Sequence, residues 1–222
     1  MIYPGGKNAD GVFQRIINQI PPHRVYIEPF AGSGAILRHK RPAERSIAVE
    51  LDPAALALLR EGARAIPNSR IVRGDGIAFL HTYRFDGSEF VYADPTYLPY
   101  TRRGRRTYRR ELMVGDHRRL LAILLRLRCP VMLSGYWSEL YAGILREWRT
   151  DHFRVMTRGG SAEEWLWMNY PPPVELHDYR YVGRNFRERE KFKRQRQRWT
   201  ARLRKMDPLR RQALLAAIGD LD

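Results

Sequence analysis

The chain is almost without cysteine. Cys129 stands alone among 222 residues, so no disulfide can close within the chain and a cysteine-based zinc site is not expected. Long apolar runs are also missing. No stretch approaches the ~18 residues that a membrane-spanning helix needs, and Met1 to Asp10 has no apolar segment of the kind a secretory signal carries. These absences predict a reducing, cytoplasmic setting without membrane contact. No segment repeats, which sets repeat architectures aside. The hydrophobic fraction is 44% and the charged fraction 29%, values that argue for a folded globular chain rather than a disordered one.

Acid is scarce as well. Lys and Arg total 40 against 24 Asp and Glu, a formal net charge of +16. The excess sits in two places. Arg102, Arg103, Arg105, Arg106, Arg109 and Arg110 form a cluster with no acid inside it. From Arg180 to Arg211 there are 14 basic and 3 acidic residues, which leaves 20 basic and 21 acidic residues elsewhere. Two basic arms on a neutral body are an electrostatic footprint for a polyanion. The composition shifts near Asp178, and the sequence divides into a body, 1–177, and a basic helical tail, 178–222. In the tail Phe192, Trp199, Leu203 and Met206 share one helical face among arginines and lysines. Asp207-Pro208 has the form of an N-cap and first-turn proline opening a second helix. Arg194 and Arg198 are the tail residues expected to meet phosphate.

Strand-like and helix-like segments alternate through the body. A helix is expected over 8–20, strands over 25–28, 46–50, 70–73, 89–93 and 130–134, and a closing pair over 152–157 and 164–169. A helix follows Pro53, and Asp116 is expected to cap another that runs through 120–127. This order predicts a mainly parallel α/β sheet, in which ligands sit at the carboxyl ends of the strands. The chemistry-bearing residues fall at those ends. Glu28-Pro29-Phe30-Ala31-Gly32-Ser33-Gly34 follows the first strand, and glycines there let a backbone approach a nucleotide-like ligand closely. Position 37 is Leu and no Gly-Lys-Ser/Thr follows, so neither the dinucleotide fingerprint nor a P-loop is present. Glu50 ends the second strand, where an acid can accept both hydroxyls of an unphosphorylated ribose. Asp75 ends the third and can take an exocyclic amine of adenine. Together they fit an adenosine bearing a non-phosphate substituent, as in S-adenosyl-L-methionine. Asp94-Pro95-Thr96-Tyr97 follows the fourth strand. The Asp94 carboxylate and the Pro95 carbonyl can accept the two hydrogens of a conjugated exocyclic amine and so localise its lone pair, while Tyr97 stacks on the base. Such a base has to be outside the duplex.

These residues, in this order, carry a resemblance. The chain resembles the N6-adenine-specific DNA methyltransferases of the Dam-related D12 class, phage and prophage members above all, over most of 1–177. Tyr3-Pro4-Gly5-Gly6-Lys7 is similar to that family's P-G-G-K element, whose lysine is associated with the methionine part of the cofactor. Glu28 to Gly34 resembles the cofactor loop, Glu50 and Asp75 the ribose and adenine acids, and Asp94 to Tyr97 the D-P-P-Y motif. Leu133 to Tyr136 and Glu163 to Pro171 resemble later blocks. The resemblance implies a Rossmann-like methyltransferase fold and S-adenosyl-L-methionine as cofactor. Tyr3, Lys7, Glu28, Phe30, Gly32, Gly34, Glu50 and Asp75 would hold the cofactor, and Asp94, Pro95 and Tyr97 would be catalytic. No metal is expected, since methyl transfer from a sulfonium needs none and His81, His117, His152 and His177 are scattered.

Two departures stand out. Thr96 replaces the second proline, which removes its fixed φ. Only 76–93 separate Asp75 from Asp94, too little for a separate target-recognition insertion. A short or relaxed target sequence is therefore expected, with Arg102, Arg103, Arg105, Arg106 and Arg109 and the tail contacting phosphate. The expected partner is DNA and the expected state a monomer. The alternatives are methylation of RNA adenosine and a catalytically weak DNA-binding relative. Cys129 is expected in the core, Tyr136 and Trp137 either at a base pocket or in packing, and Asn169-Tyr170-Pro171 at a strand end near the pocket.

Overall fold

The computed structural model describes residues 7–9, 11–101, 111–157 and 160–220. They form two compact units, one running to Asp178 and the other from Tyr179 onward. Seven strands, β1 (Val25–Glu28), β2 (Arg45–Glu50), β3 (Ser69–Arg73), β4 (Glu89–Ala93), β5 (Val131–Gly135), β6 (Arg149–Thr157) and β7 (Gly160–Met168), make one sheet in the order β3-β2-β1-β4-β5-β7-β6. The five from β3 to β5 run parallel, and β7 is antiparallel to both its neighbours. Every residue of β1, β4 and β5 is buried. Central strands covered on both faces favour such mostly apolar sequences, and edge strand β3 is only partly covered.

Helices α1 (Val12–Ile17), α2 (Ala35–His39), α3 (Pro53–Ala63), α4 (Gly76–Thr82), α5 (Val114–Leu124) and α6 (Glu139–Ile144) belong to this unit. The core joins Ile27, Val91, Leu133 and Trp167 of the sheet to Leu120, Leu121 and Leu124 of α5, with Cys129 beside them. The chain winds outward from β1 through β2 to β3, then crosses to β4 on the other side of β1. This reversal opens a crevice outside the carboxyl ends of β1 and β4, the place where α/β sheets bind ligands.

Four local expectations need correction. The first helix is shorter than 8–20, because Gln19 and Ile20 close tight turns onto Ile16 and Ile17 ahead of Pro21-Pro22. Asp116 does not cap α5. It lies one turn inside, where its carboxylate accepts the N–H of the capping residue Met113 at 2.9 Å. The closing hairpin extends inward to Gly160 rather than beginning at 164. Asn169 is at a strand end, but at the far end from the crevice. It accepts the Val131 N–H at 2.7 Å, at the amino end of β5, because β7 runs antiparallel.

The second unit holds α7 (Phe186–Lys205) and α8 (Pro208–Gly219). Asn185 caps α7 by accepting the Glu188 N–H, and Asp207 caps α8 ahead of Pro208. Among the described residues no helix is long and apolar enough to cross a membrane.

Candidate active site

The loop after β1 is held by its neighbours. Gly34 adopts φ +73°, and a side chain there would meet Leu59 at 2.5 Å, so both conformation and space require glycine. Glu50 at the end of β2 ties the loop down. One carboxylate oxygen accepts the Gly32 N–H at 2.7 Å, and the other accepts those of Leu51 and Asp52 at 2.8 and 2.7 Å. Burial raises its pKa against the pull of these bonds. Asp75 caps α4, accepting the Ile77 and Ala78 N–H groups through Oδ1, and is itself exposed. The next residue, Gly76, lies so close to the loop that an added Cβ would be 2.0 Å from the Pro29 carbonyl oxygen. Phe30 and Gly32 are half-buried, whereas Glu28, the last residue of β1, is 2% exposed. The Tyr26 hydroxyl donates to Glu28 at 3.0 Å, and burial pushes the Glu28 pKa up to about 8, so it is mostly protonated at neutral pH.

Past β4, a polar cluster gathers around Asp94. The Lys7 ammonium donates to Asp94 Oδ1 at 2.9 Å and pairs with Glu164 Oε1 at 3.2 Å. The Tyr97 hydroxyl accepts from Lys7 and donates to Glu164. The Ser134 hydroxyl donates to the same Glu164 oxygen at 3.0 Å and meets the Tyr92 hydroxyl at 3.1 Å. One ammonium thus stands between two carboxylates inside a largely buried site. Burial raises the pKa of Glu164, opposed by Lys7, and burial with the Asp94 charge holds the Tyr97 phenol well above its ordinary value. The Tyr136 ring meets Tyr97 edge-on, with centroids 4.5 Å apart, while Trp137 beside it is half exposed. Thr96, where the resembling family has proline, accepts the Leu112 N–H at 2.9 Å through its hydroxyl.

The structure therefore brings Lys7, Asp94 and Tyr97 together, with Pro95 buried alongside, and sets the Gly loop, Glu50 and Asp75 around the neighbouring strand ends. Tyr3 and Arg102, Arg103, Arg105, Arg106 and Arg109 lie outside the described residues. Arg194 and Arg198 are exposed on α7 in the second unit. The sequence reading missed Glu164 and Gly76. The signal for Glu164 lay in strand alternation, because it shares a face with the buried Leu166 and Met168. The signal for Gly76 was a glycine directly after a strand-end acid. Among the described residues no group of histidine, cysteine or acidic side chains is placed to hold a metal.

No family model matches the chain, and no curated protein matches it. Solved structures do. A precorrin-8w decarboxylase of Methanobacterium thermoautotrophicum aligns with a TM-score of 0.54 at 12% identity, over 76% of this chain and 94% of its own. A precorrin-6y C5,15-methyltransferase of Geobacter metallireducens aligns at 0.50 and 13%, over 75% and 92%. An Escherichia coli protein assigned as a methyltransferase aligns at 0.50 and 19%, over 75% and 90%. Identities this low speak for the fold. The first unit has the Rossmann-like fold of the S-adenosylmethionine-dependent methyltransferases.

Proposed function

We propose that the chain is an S-adenosyl-L-methionine-dependent methyltransferase that acts on the exocyclic N6 of adenine in DNA, with a short or relaxed target sequence. The observation that carries this reading is the placement of Asp94, Pro95 and Tyr97 past β4, beside a glycine loop at the point where the strand order reverses. The loop fits the cofactor: its backbone is shaped by positions where a side chain has no room, and Glu50 and Asp75 stand at the adjoining strand ends. Phe30, Gly32, Gly34, Glu50 and Asp75 would hold the adenosine part, with Glu28 supporting the loop from the end of β1. Lys7 would serve the methionine part from its place beside Asp94. When bound, the cofactor supplies a methyl group activated by a sulfonium.

The protein's part is orientation and electrostatics. An extruded adenine stacks on Tyr97. Its two amine hydrogens would go to the Asp94 carboxylate and the Pro95 carbonyl, which would leave the localised lone pair free to bond the cofactor's methyl carbon as the carbon–sulfur bond breaks and the sulfonium leaves as a neutral thioether. The amine takes over Asp94 Oδ1 as Lys7 stays with Glu164. The proton shed by the methylated nitrogen is accepted by Asp94. Thr96 changes neither acceptor in kind, the Asp94 carboxylate or the Pro95 carbonyl, and its hydroxyl is engaged by the Leu112 N–H, which favours an active enzyme over a weak relative. The body, 1–177, would be the catalytic domain. Between Asp75 and Asp94 the chain forms only α4, a short link and β4, so target recognition would fall to the arginine cluster and the tail.

The test is transfer of labelled methyl to unmodified duplex DNA, single-stranded DNA and RNA, followed by nucleoside mass spectrometry. N6-methyldeoxyadenosine is the expected product. N6-methyladenosine on RNA alone would overturn the DNA assignment, and the absence of both products would overturn the enzyme. The Asp94→Ala variant is expected to lose transfer by at least ~100-fold, in line with the loss of a preorganised transition-state contact, while cofactor binding measured by calorimetry persists.

A further inference from the structure

The cluster around Asp94 accounts for one base. That base arrives attached to a strand, and the structure offers a place for its neighbour. Between the 3-10 turn Pro99–Thr101 and α6 lies a cavity of about 820 Å³, within the ~300–1,000 Å³ typical of ligand sites. Tyr100 and Trp137 both line it, and they are 62% and 50% exposed. Core packing does not explain two aromatic side chains left this open beside one cavity. Both belong to segments that also build the site. Tyr100 follows Tyr97 by three residues, and Trp137 directly follows Tyr136, whose ring rests against Tyr97. Arg118 of α5 and Glu139 of α6 reach the same cavity, one a hydrogen-bond donor and the other an acceptor.

We propose that this cavity is a second nucleobase site, which takes the base next to the methylated adenine and stacks it on Trp137 and Tyr100. Every base has a π-face, so aromatic walls hold a flanking nucleotide with little regard to sequence. Arg118 and Glu139 add a modest preference at the base edge, since guanine presents acceptors to arginine and cytosine a donor to a carboxylate. The proposal rests on the adenine reading only for which base is the neighbour.

The probe is a short single-stranded oligonucleotide with one adenine and 2-aminopurine on its 5′ or 3′ side, prepared with deoxyribose and with ribose. It is added to the full chain, and fluorescence quenching, affinity and methyl transfer are recorded. Quenching is expected on one side of the adenine. Trp137→Ala should relieve it and weaken binding by about 5- to 150-fold, the range for one base–aromatic stack. Trp137→Phe should keep both, and because the side chain is half exposed neither change threatens folding. Quenching and affinity unchanged in Trp137→Ala, or no quenching with either sugar, would overturn the cavity assignment even if adenine is methylated. Quenching that depends on Trp137 in a protein that methylates nothing would uphold the cavity and overturn the adenine reading.

Discussion

Glu164 shows how much one buried side chain decides here. It accepts from Tyr97 and Ser134 and shares Lys7 with Asp94, at 4% side-chain exposure. A carboxylate sealed this far from water is tolerated only with such partners. Glu164→Ala leaves two hydroxyls and an ammonium facing an empty space, and the expected cost is about 3 kcal/mol, seen as a lowered Tm in thermal denaturation. Glu164→Gln keeps an acceptor oxygen and should unfold much closer to the parent. It removes the charge, however, so Lys7 settles on Asp94 alone. Methyl transfer by the Gln variant is expected to fall about tenfold, equivalent to ~1.4 kcal/mol on the barrier. A Gln variant with unchanged transfer would show that Glu164 only supports the fold.

At the scale of the element, α7 makes its own case. Arg187, Lys191, Arg194 and Arg198 recur at spacings of four, three and four, so they share one helical face, and all are exposed. Phe186 and Glu190 border the same shallow concavity. A stripe of cations along a helix of 20 residues suits a phosphate backbone better than any single base. Replacing these four residues with alanine should lower the slope of log K against log salt on duplex DNA by about 3 to 4, at ~0.9 per phosphate contact. Fluorescence anisotropy across a salt series reads that slope, and an unchanged slope would remove this face from the binding surface. The hairpin β6–β7 is the contrasting element. Its antiparallel return brings Glu164 to the crevice and sends Asn169 to the opposite end of the sheet, where it bonds to Val131 and Cys129.

For the molecule as a whole, two buried groups shape stability against pH in opposite senses. His23 donates to the Pro21 carbonyl and stacks on His177, and burial lowers its pKa from 6.5 to about 3. Between these values the unfolded chain binds a proton that the folded chain does not, so stability is lost as pH falls from 6.5 toward 3. Glu28 is raised from 4.5 to about 8. There the folded chain holds the extra proton, so stability is lost as pH rises from 4.5 toward 8. Between pH 4.5 and 6.5 the two effects oppose each other, so Glu28→Gln should show a flatter Tm than the parent from pH 6.5 to 8, and His23→Gln a flatter acid limb below pH 4.5. Thermal denaturation from about pH 3 to about pH 8 checks both, and parallel curves for parent and variants would contradict the assignment.

Sequence alone determined most of the elements and singled out Lys7, Asp94 and Tyr97, which the structure sets side by side. Central strands such as Val25–Glu28 and Glu89–Ala93 are mostly apolar, each with one glutamate at an end, and Asp52-Pro53 and Asp207-Pro208 are local signals that act within one turn. The loop glycines and Asp94 to Tyr97 stood out in the sequence because each group directly follows a strand. What the tertiary structure decided depends on contacts distant in sequence. Lys7 meets Asp94 across 87 residues, and Tyr97 meets Glu164 across 67. The same holds for Gly76 against Pro29 and for the ties that Glu50 makes to the loop. Strand order and direction set these distances, and no window of sequence contains both partners. The physical reason is that period and propensity act locally, whereas the pairing of buried charges is chosen by which chain segments the sheet brings side by side.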